Sequence, residues 1–147
     1  ATDLSPDALD VARENARRLG AYNVSFVLGD LFAAIDAAGL PWHPPVFELV
    51  VSNPPYIATA ECETLMPDVR DFEPRLALDG GQDGLDLVRR IVRDAPRYLV
   101  PTGVLALEIG AGQAPDVAKI LEGHGYTEIV KTKDLAGIER VVSGVRP

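Results

Sequence analysis

The 147-residue sequence has one cysteine, one methionine, one tryptophan and two histidines, and aromatic residues make up only 6% of it. Cys62 alone cannot form an internal disulfide, so a disulfide framework is excluded and a reducing compartment, the cytoplasm, is expected. His43 and His124 have no cysteine or carboxylate at metal-ligand spacing, so no metal is expected. No apolar stretch reaches the roughly 18 residues of a membrane span, and nothing in the chain reads as a secretory leader. Cations are scarce too: 14 Lys and Arg face 22 Asp and Glu, for a net charge of −8. A duplex-binding surface needs Lys and Arg to neutralise phosphates, so direct nucleic-acid binding is not expected. Arg17, Arg18, Arg89, Arg90 and Arg93 read as solvated helix faces.

Apolar residues are not scarce. At 47% hydrophobic and 24% charged, the chain suits one globular domain with a sizeable core. Ala1 to Asp3 reads as the tail of a strand. Ser5 is a good N-cap, Pro6 a good first helical residue, and Asp7 suits the positive end of a helix closed by Gly20. Ala8, Ala12, Ala16 and Leu19 fall on one face of that helix. Val24 to Leu28 reads as a short strand, followed by Gly29-Asp30 and a brief helix to Ala38. The proline-rich run Leu40 to Pro45 reads as a surface loop anchored by Trp42.

Phe47 to Ser52 is the next strand, and from Tyr56 to about Gly84 the pattern is irregular, a length that often marks function. Leu85 to Leu99 reads as a helix, with Pro96 awkward inside it. Thr102-Gly103 is a turn, Val104 to Ile109 a strand, Pro115 to Gly123 a helix. Closing strands are expected over Tyr126 to Lys131 and Arg140 to Val145. Alternating strands and helices predict an α/β fold with a parallel sheet and an antiparallel strand at its end.

In open sheets of this kind ligands bind beyond the carboxyl ends of the strands. Asp3, Asp30 and Asn53 occupy three such ends. Asp3 is placed to accept from ribose hydroxyls, although it also suits a turn beside the Ser5 cap. Asp30 is placed to accept from an adenine amine with Leu31 and Phe32 against the ring, although it also suits the cap of the following helix. The most informative run is Asn53-Pro54-Pro55-Tyr56. An Asn side-chain oxygen and a proline-stiffened carbonyl are two fixed acceptors for the NH2 of an amide or aromatic amine, with the Tyr56 ring beside them. Such a clamp aims a nitrogen lone pair at an electrophile, and methyl transfer is the chemistry it suggests.

Further residues narrow the reading: Asp68-Val69-Arg70-Asp71-Phe72-Glu73-Pro74, then Leu76 to Gly81, Asp83-Gly84-Leu85, and Gly137-Ile138-Glu139-Arg140-Val141. With Ala1-Thr2-Asp3 and Ser52 to Ile57, these motifs resemble class I S-adenosylmethionine-dependent methyltransferases. Within that class the whole chain resembles the HemK/PrmC family, the N5-glutamine methyltransferases of peptide chain release factors. The resemblance implies a Rossmann-like sheet with helices on both faces. Its cofactor would be S-adenosylmethionine, leaving S-adenosylhomocysteine as product, and its partner a peptide chain release factor. It implies that Asp3 holds the cofactor ribose and that Asp30 and Leu31 lie beside the adenine, where the family often has an aromatic residue instead of Leu31. Asn53 and the Pro54 carbonyl would grip the glutamine amide, with Asn53 also near the cofactor. Pro55 and Tyr56 would shape the pocket, and Arg70 and Glu73 would position the loop over it.

The family carries its glycine-rich cofactor loop after a first strand, upstream of the acidic strand end with which this chain begins. The first βα unit and an N-terminal helical domain are therefore expected to be missing from residues 1–147, which read as a partial catalytic domain. Two alternative functions stay open on the residues alone. One is an N-methyltransferase acting on an exocyclic amine of a DNA or RNA base, which shares Asn-Pro-Pro-Tyr. The other is a nucleotide-binding module without catalysis. Gly110-Ala111-Gly112 could serve as a circularly permuted cofactor loop or as a tight strand-to-helix turn before Pro115.

Overall fold

The computed structural model describes residues 1–39 and 46–147. The loop expected over Leu40–Pro45, with Trp42 and His43, lies outside the described residues. The chain forms two compact units, Ala1–Pro45 and Val46–Pro147.

In the first unit, β1 (Thr2–Asp3) pairs in parallel with β2 (Val27–Leu28), Thr2 opposite Val27 and Asp3 opposite Leu28. Between them runs α1 (Pro6–Leu19), with the predicted caps at both ends. The Ser5 hydroxyl accepts from the Ala8 N–H at 3.2 Å, and Gly20 takes the left-handed φ of 70° that a Cβ would strain. The buried side overlaps the expected face without matching it: Ala12 and Ala16 are half-buried. Leu9 is 2% exposed, whereas Ala8 is exposed and Leu19 is 83% exposed. An alanine face buries too little area to orient a helix, so the one large side chain on that side decides the orientation. The strand expected from Val24 is shorter, starting at Val27. The following helix, α2 (Leu31–Ala37), buries Phe32 and Ala34, and both α1 and α2 pack on β1.

The second unit holds a four-stranded sheet. β3 (Phe47–Ser52) pairs in parallel with β4 (Leu99–Glu108), and β4 pairs antiparallel with β6 (Glu139–Val145), which pairs antiparallel with β5 (Thr127–Lys133). The spatial order is therefore β3-β4-β6-β5. β3 has the predicted bounds. β4 starts five residues earlier than expected, because the Thr102-Gly103 turn is a bulge inside the strand. Thr102 has φ 66°, and the register jumps from Phe47 opposite Leu99 to Leu49 opposite Val104. A Cβ on Gly103 would lie 2.9 Å from the Val100 carbonyl oxygen, so the bulge accepts only glycine there without shifting.

The stretch expected to be irregular contains three single-turn helices, α3 (Thr59–Cys62), α4 (Pro67–Arg70) and α5 (Arg75–Leu78). α6 is Asp86–Asp94, ending five residues before the predicted helix does, with a 3-10 turn at Ala95–Arg97. Pro96 has no N–H to offer the Val92 carbonyl, which ends the α-helical ladder. The Tyr126 hydroxyl donates to that carbonyl instead, at 3.2 Å. Buried with Tyr126, this phenol is pushed up to about 12 by desolvation. α7 (Ala114–Gly123) packs against α6 and on β5 and β6. Val88, Ile91, Val92, Leu105, Leu107, Val117, Leu121 and Val142 form the fully buried core. Strand alternation splits the sheet faces: Leu105 and Leu107 are buried, whereas Leu49 and Val51 on β3 are 55% and 68% exposed.

Candidate active site

β3 delivers Asn53 to the carboxyl edge of its sheet. Pro54 is buried directly behind it, Pro55 and Tyr56 are half-buried, and Asn53 itself is exposed. Asn53 lines a cleft of about 300 Å³ with Val51, Ser52, Ala106, Glu108 and Val141. Glu108 ends β4 as Ser52 ends β3, so an amide and a carboxylate line one cleft at the ends of neighbouring parallel strands. In the sequence Glu108 is the acid before the Gly110-Ala111-Gly112 turn; its place in the Asn53 cleft follows from strand register.

Tyr56 opens onto a different cleft, of about 640 Å³, lined also by Glu61, Asp83, Arg89, Gln113 and Lys119. Directly after Tyr56 the backbone at Ile57 and Thr59 is held by the 78–81 segment. Ile57 donates to the Leu78 carbonyl at 3.0 Å, Gly80 donates to the Ile57 carbonyl at 2.8 Å, and Thr59 to the Gly81 carbonyl at 2.9 Å. Asp79 accepts from the Thr59 hydroxyl at 2.7 Å and from the Gly81 N–H at 3.0 Å, which together hold its carboxyl below the ordinary range. Asp83 is lowered to about 2, chiefly by the Arg89 guanidinium and also by the Leu85 N–H at 3.1 Å. Glycines allow the close approach. A Cβ on Gly80 would lie 2.6 Å from the Pro55 carbonyl oxygen, and one on Gly84 only 2.2 Å from that of Tyr56. The glycine run was legible as a signal; its function as packing surface for the Pro55–Tyr56 backbone was not.

Gly110-Ala111-Gly112 forms the tight strand-to-helix turn. Gly110 donates to the Gln113 Oε1 at 2.8 Å, and a Cβ there would crowd the Tyr56 ring at 3.1 Å. Its N–H and its open side are thus committed to the protein. Gln113 also donates from Nε2 to the Tyr56 carbonyl at 2.9 Å. The Arg70 guanidinium donates twice to Asp71, at 2.7 and 3.2 Å. Cys62 is buried, and the His124 ring meets the Ile120 carbonyl at 2.8 Å.

In the first unit, Asp3 and Asp30 stand at the carboxyl ends of the paired strands β1 and β2. Asp3 is exposed, and its Oδ1 accepts from the Ser5 N–H at 2.8 Å. Asp30 is half-buried and occupies the N-cap position of α2, with no side-chain capping hydrogen bond. Leu31 holds φ 47°, a left-handed conformation that costs a leucine strain, and Gly29 before it leaves no room for a Cβ, which would sit 2.9 Å from that of Ala34.

No protein-family model matches the chain. Over 140 residues, 95% of the chain, it is 47% identical to a release factor glutamine methyltransferase of Geobacter sulfurreducens, covering 46% of that protein. Over 148 residues, 100% of the chain, it is 48% identical to one of Cereibacter sphaeroides, covering 50% of it. The chain is a homologue of the release factor glutamine methyltransferases. It spans about half the length of the curated relatives it matches. Among solved structures it superimposes on a methyltransferase from Pyrococcus furiosus with a TM-score of 0.64 at 16% identity, covering 99% of this chain and 61% of that one. A ribosomal protein L11 methylase from Lactobacillus delbrueckii subsp. bulgaricus gives a TM-score of 0.61 at 18% identity, with 99% and 54% covered. The fold is accordingly the Rossmann-like fold of class I methyltransferases. Among the described residues no helix is long and apolar enough to cross a membrane.

Proposed function

We propose that this chain carries the substrate-amide clamp and part of the cofactor site of an S-adenosylmethionine-dependent methyltransferase. Its substrate is the side-chain amide nitrogen of a glutamine in a peptide chain release factor, in the cytoplasm. The observation that carries the reading is the exposed Asn53 at a strand-end cleft, backed by a buried proline, in a chain nearly half identical to release factor glutamine methyltransferases.

The donor set in the first unit suits the cofactor. Two carboxylates at adjacent strand ends, Asp3 and Asp30, match the hydroxyl and amine donors of an adenosine, and Leu31 offers an apolar side chain next to Asp30. When bound, S-adenosylmethionine supplies an electrophilic methyl group on a sulfonium sulfur. The chain spans about half the length of the curated relatives it matches, and on this reading the isolated 147-residue chain binds cofactor weakly and is inactive; calorimetric titration giving micromolar affinity would contradict this.

The clamp works by position and charge. An amide nitrogen is a poor nucleophile because its lone pair is delocalised into the carbonyl. Asn53 Oδ1 and the Pro54 carbonyl accept from its two N–H bonds, favour the rehybridised NH2 and hold its lone pair in line. Proline at 54 and 55 keeps the acceptors from turning away, since φ is fixed at both. No strong base is needed, because the nitrogen's proton becomes acidic once the nitrogen is alkylated. In a protein of the relatives' length carrying this chain, Asn53→Ala should lower kcat by about 100-fold or more, the scale of one lost charge-stabilising contact. Cofactor affinity should change much less. Equal losses in both would make Asn53 a cofactor ligand instead. Radiolabelled methyl transfer to release factor, DNA and RNA tests the substrate class; label entering nucleic acid rather than protein would overturn it.

A further inference from the structure

We propose that Gln113 is the positioning residue of the amide clamp. The inference rests on the proposed function, and deepens it. Pro54 and Pro55 have no N–H, so two consecutive residues of the clamp offer no backbone donor with which to lock the turn. The turn must be fixed at its carbonyl groups, and Tyr56 is where a side chain reaches it. One primary amide bridges the ends of both parallel strands: Gln113 Oε1 accepts from the Gly110 N–H at 2.8 Å, and its Nε2 donates to the Tyr56 carbonyl at 2.9 Å, both part-buried.

Each end of the bridge is anchored further. Ile109, next to Gly110, donates to the Arg140 carbonyl of β6 at 3.0 Å, and Gln113's own N–H returns to the Gly110 carbonyl at 3.2 Å. A Cβ on Gly84 would come within 2.8 Å of Nε2, so the amide is packed as well as bonded. The route from the sheet to Asn53 is therefore β6, Gly110, the Gln113 amide, Tyr56, and the two prolines Pro55 and Pro54. The side-chain amide supplies an acceptor and a donor from one planar group whatever the pH. A glutamate of the same shape keeps the acceptor for Gly110 but turns an oxygen toward the Tyr56 carbonyl. Protonated, that glutamate regains a donor. This makes Gln113→Glu a pH-dependent switch of the contact.

The test compares wild type, Gln113→Glu and Gln113→Met in a protein of the relatives' length carrying this chain. Steady-state methylation of release factor is measured from about pH 8 to about pH 5, a fall over which a glutamate of ordinary value about 4.3, raised by a neighbouring carbonyl, takes up its proton. Near pH 8 both variants should lose kcat on the order of 100-fold, the scale of a misplaced reacting group, with KM for the cofactor nearly unchanged. As pH falls, the kcat of Gln113→Glu relative to wild type should recover several-fold, whereas that of Gln113→Met should not. Wild-type kcat in both variants, or one pH-independent loss shared by both, overturns the proposal. If wild type methylates a different amine, the same ratios are read on that amine, which sinks the release-factor reading alone. If wild type methylates nothing, the readout is the Asn53 side-chain amide resonance in the 147-residue chain. A pH-dependent shift of that resonance in Gln113→Glu but not in Gln113→Met upholds the positioning, and an unmoved resonance overturns it.

Discussion

Three alanine substitutions separate backbone strain from steric overlap in the frame around the Asn53–Tyr56 turn. Gly112 has φ +86° and open space where a Cβ would go. Its replacement costs only the left-handed penalty, about 1–2 kcal/mol. Gly80 has no positive φ in the strained range, but its Cβ would lie 2.6 Å from the Pro55 oxygen and 2.7 Å from the Gly84 oxygen. Its replacement costs overpacking alone, about 1–3 kcal/mol. Gly84 has both problems, with φ +75° and a Cβ 2.2 Å from the Tyr56 oxygen. The two costs sum to about 2–5 kcal/mol, large against the roughly 5–15 kcal/mol of a typical domain. Urea unfolding followed by far-ultraviolet circular dichroism reads the order directly. With a slope of about 2 kcal/mol per molar, the midpoint falls by about 0.5–1 M for Gly112→Ala and by about 1–2.5 M for Gly84→Ala. A Gly84→Ala midpoint no lower than that of Gly112→Ala would refute the tight packing of this glycine on Tyr56.

Acid titration tests the ion pair beside the second cleft. Because Asp83's folded value of about 2 lies below its ordinary value of about 3.9, its contribution is complete above the ordinary value and is lost as pH falls through the folded one. The Asp83 carboxyl carbon should titrate near 2 by nuclear magnetic resonance, and in Arg89→Met it should move back toward the ordinary range; an ordinary midpoint in wild type would rule out the pair. In the first unit, Leu9→Ala should cost about 2–5 kcal/mol as a core truncation, whereas Leu19→Ala should stay within about 0.5 kcal/mol as a surface change. Hydrogen exchange at the Val27 N–H, bonded to the Ala1 carbonyl at 2.9 Å, reports both, and equal acceleration in the two variants would contradict the observed orientation of α1.

Local chemistry was legible wherever a short run of residues decided it. Ser5, Pro6 and Gly20 set both ends of α1 because caps act within one helical turn. Phe47 to Ser52 followed from an apolar run closed by Asn-Pro-Pro, and the strand ends at Asp3, Asp30 and Asn53 followed from the alternation of elements. The glycines of the 80–84 segment marked the family resemblance, but the backbone they pack against did not show in the sequence. The tertiary structure alone decided which side of α1 is buried, where Pro96 passes the Val92 carbonyl to Tyr126, and how the bulge at Thr102-Gly103 extends β4 back to Leu99. It also decided the environment of Asn53: the Glu108 carboxylate in the same cleft and the Gln113 amide behind it. The reason is distance along the chain. Caps and periodicity act over a few residues, but the bond from Gln113 to Tyr56 joins positions 57 residues apart, and no local pattern encodes which carbonyl a folded sheet will bring to a given amide.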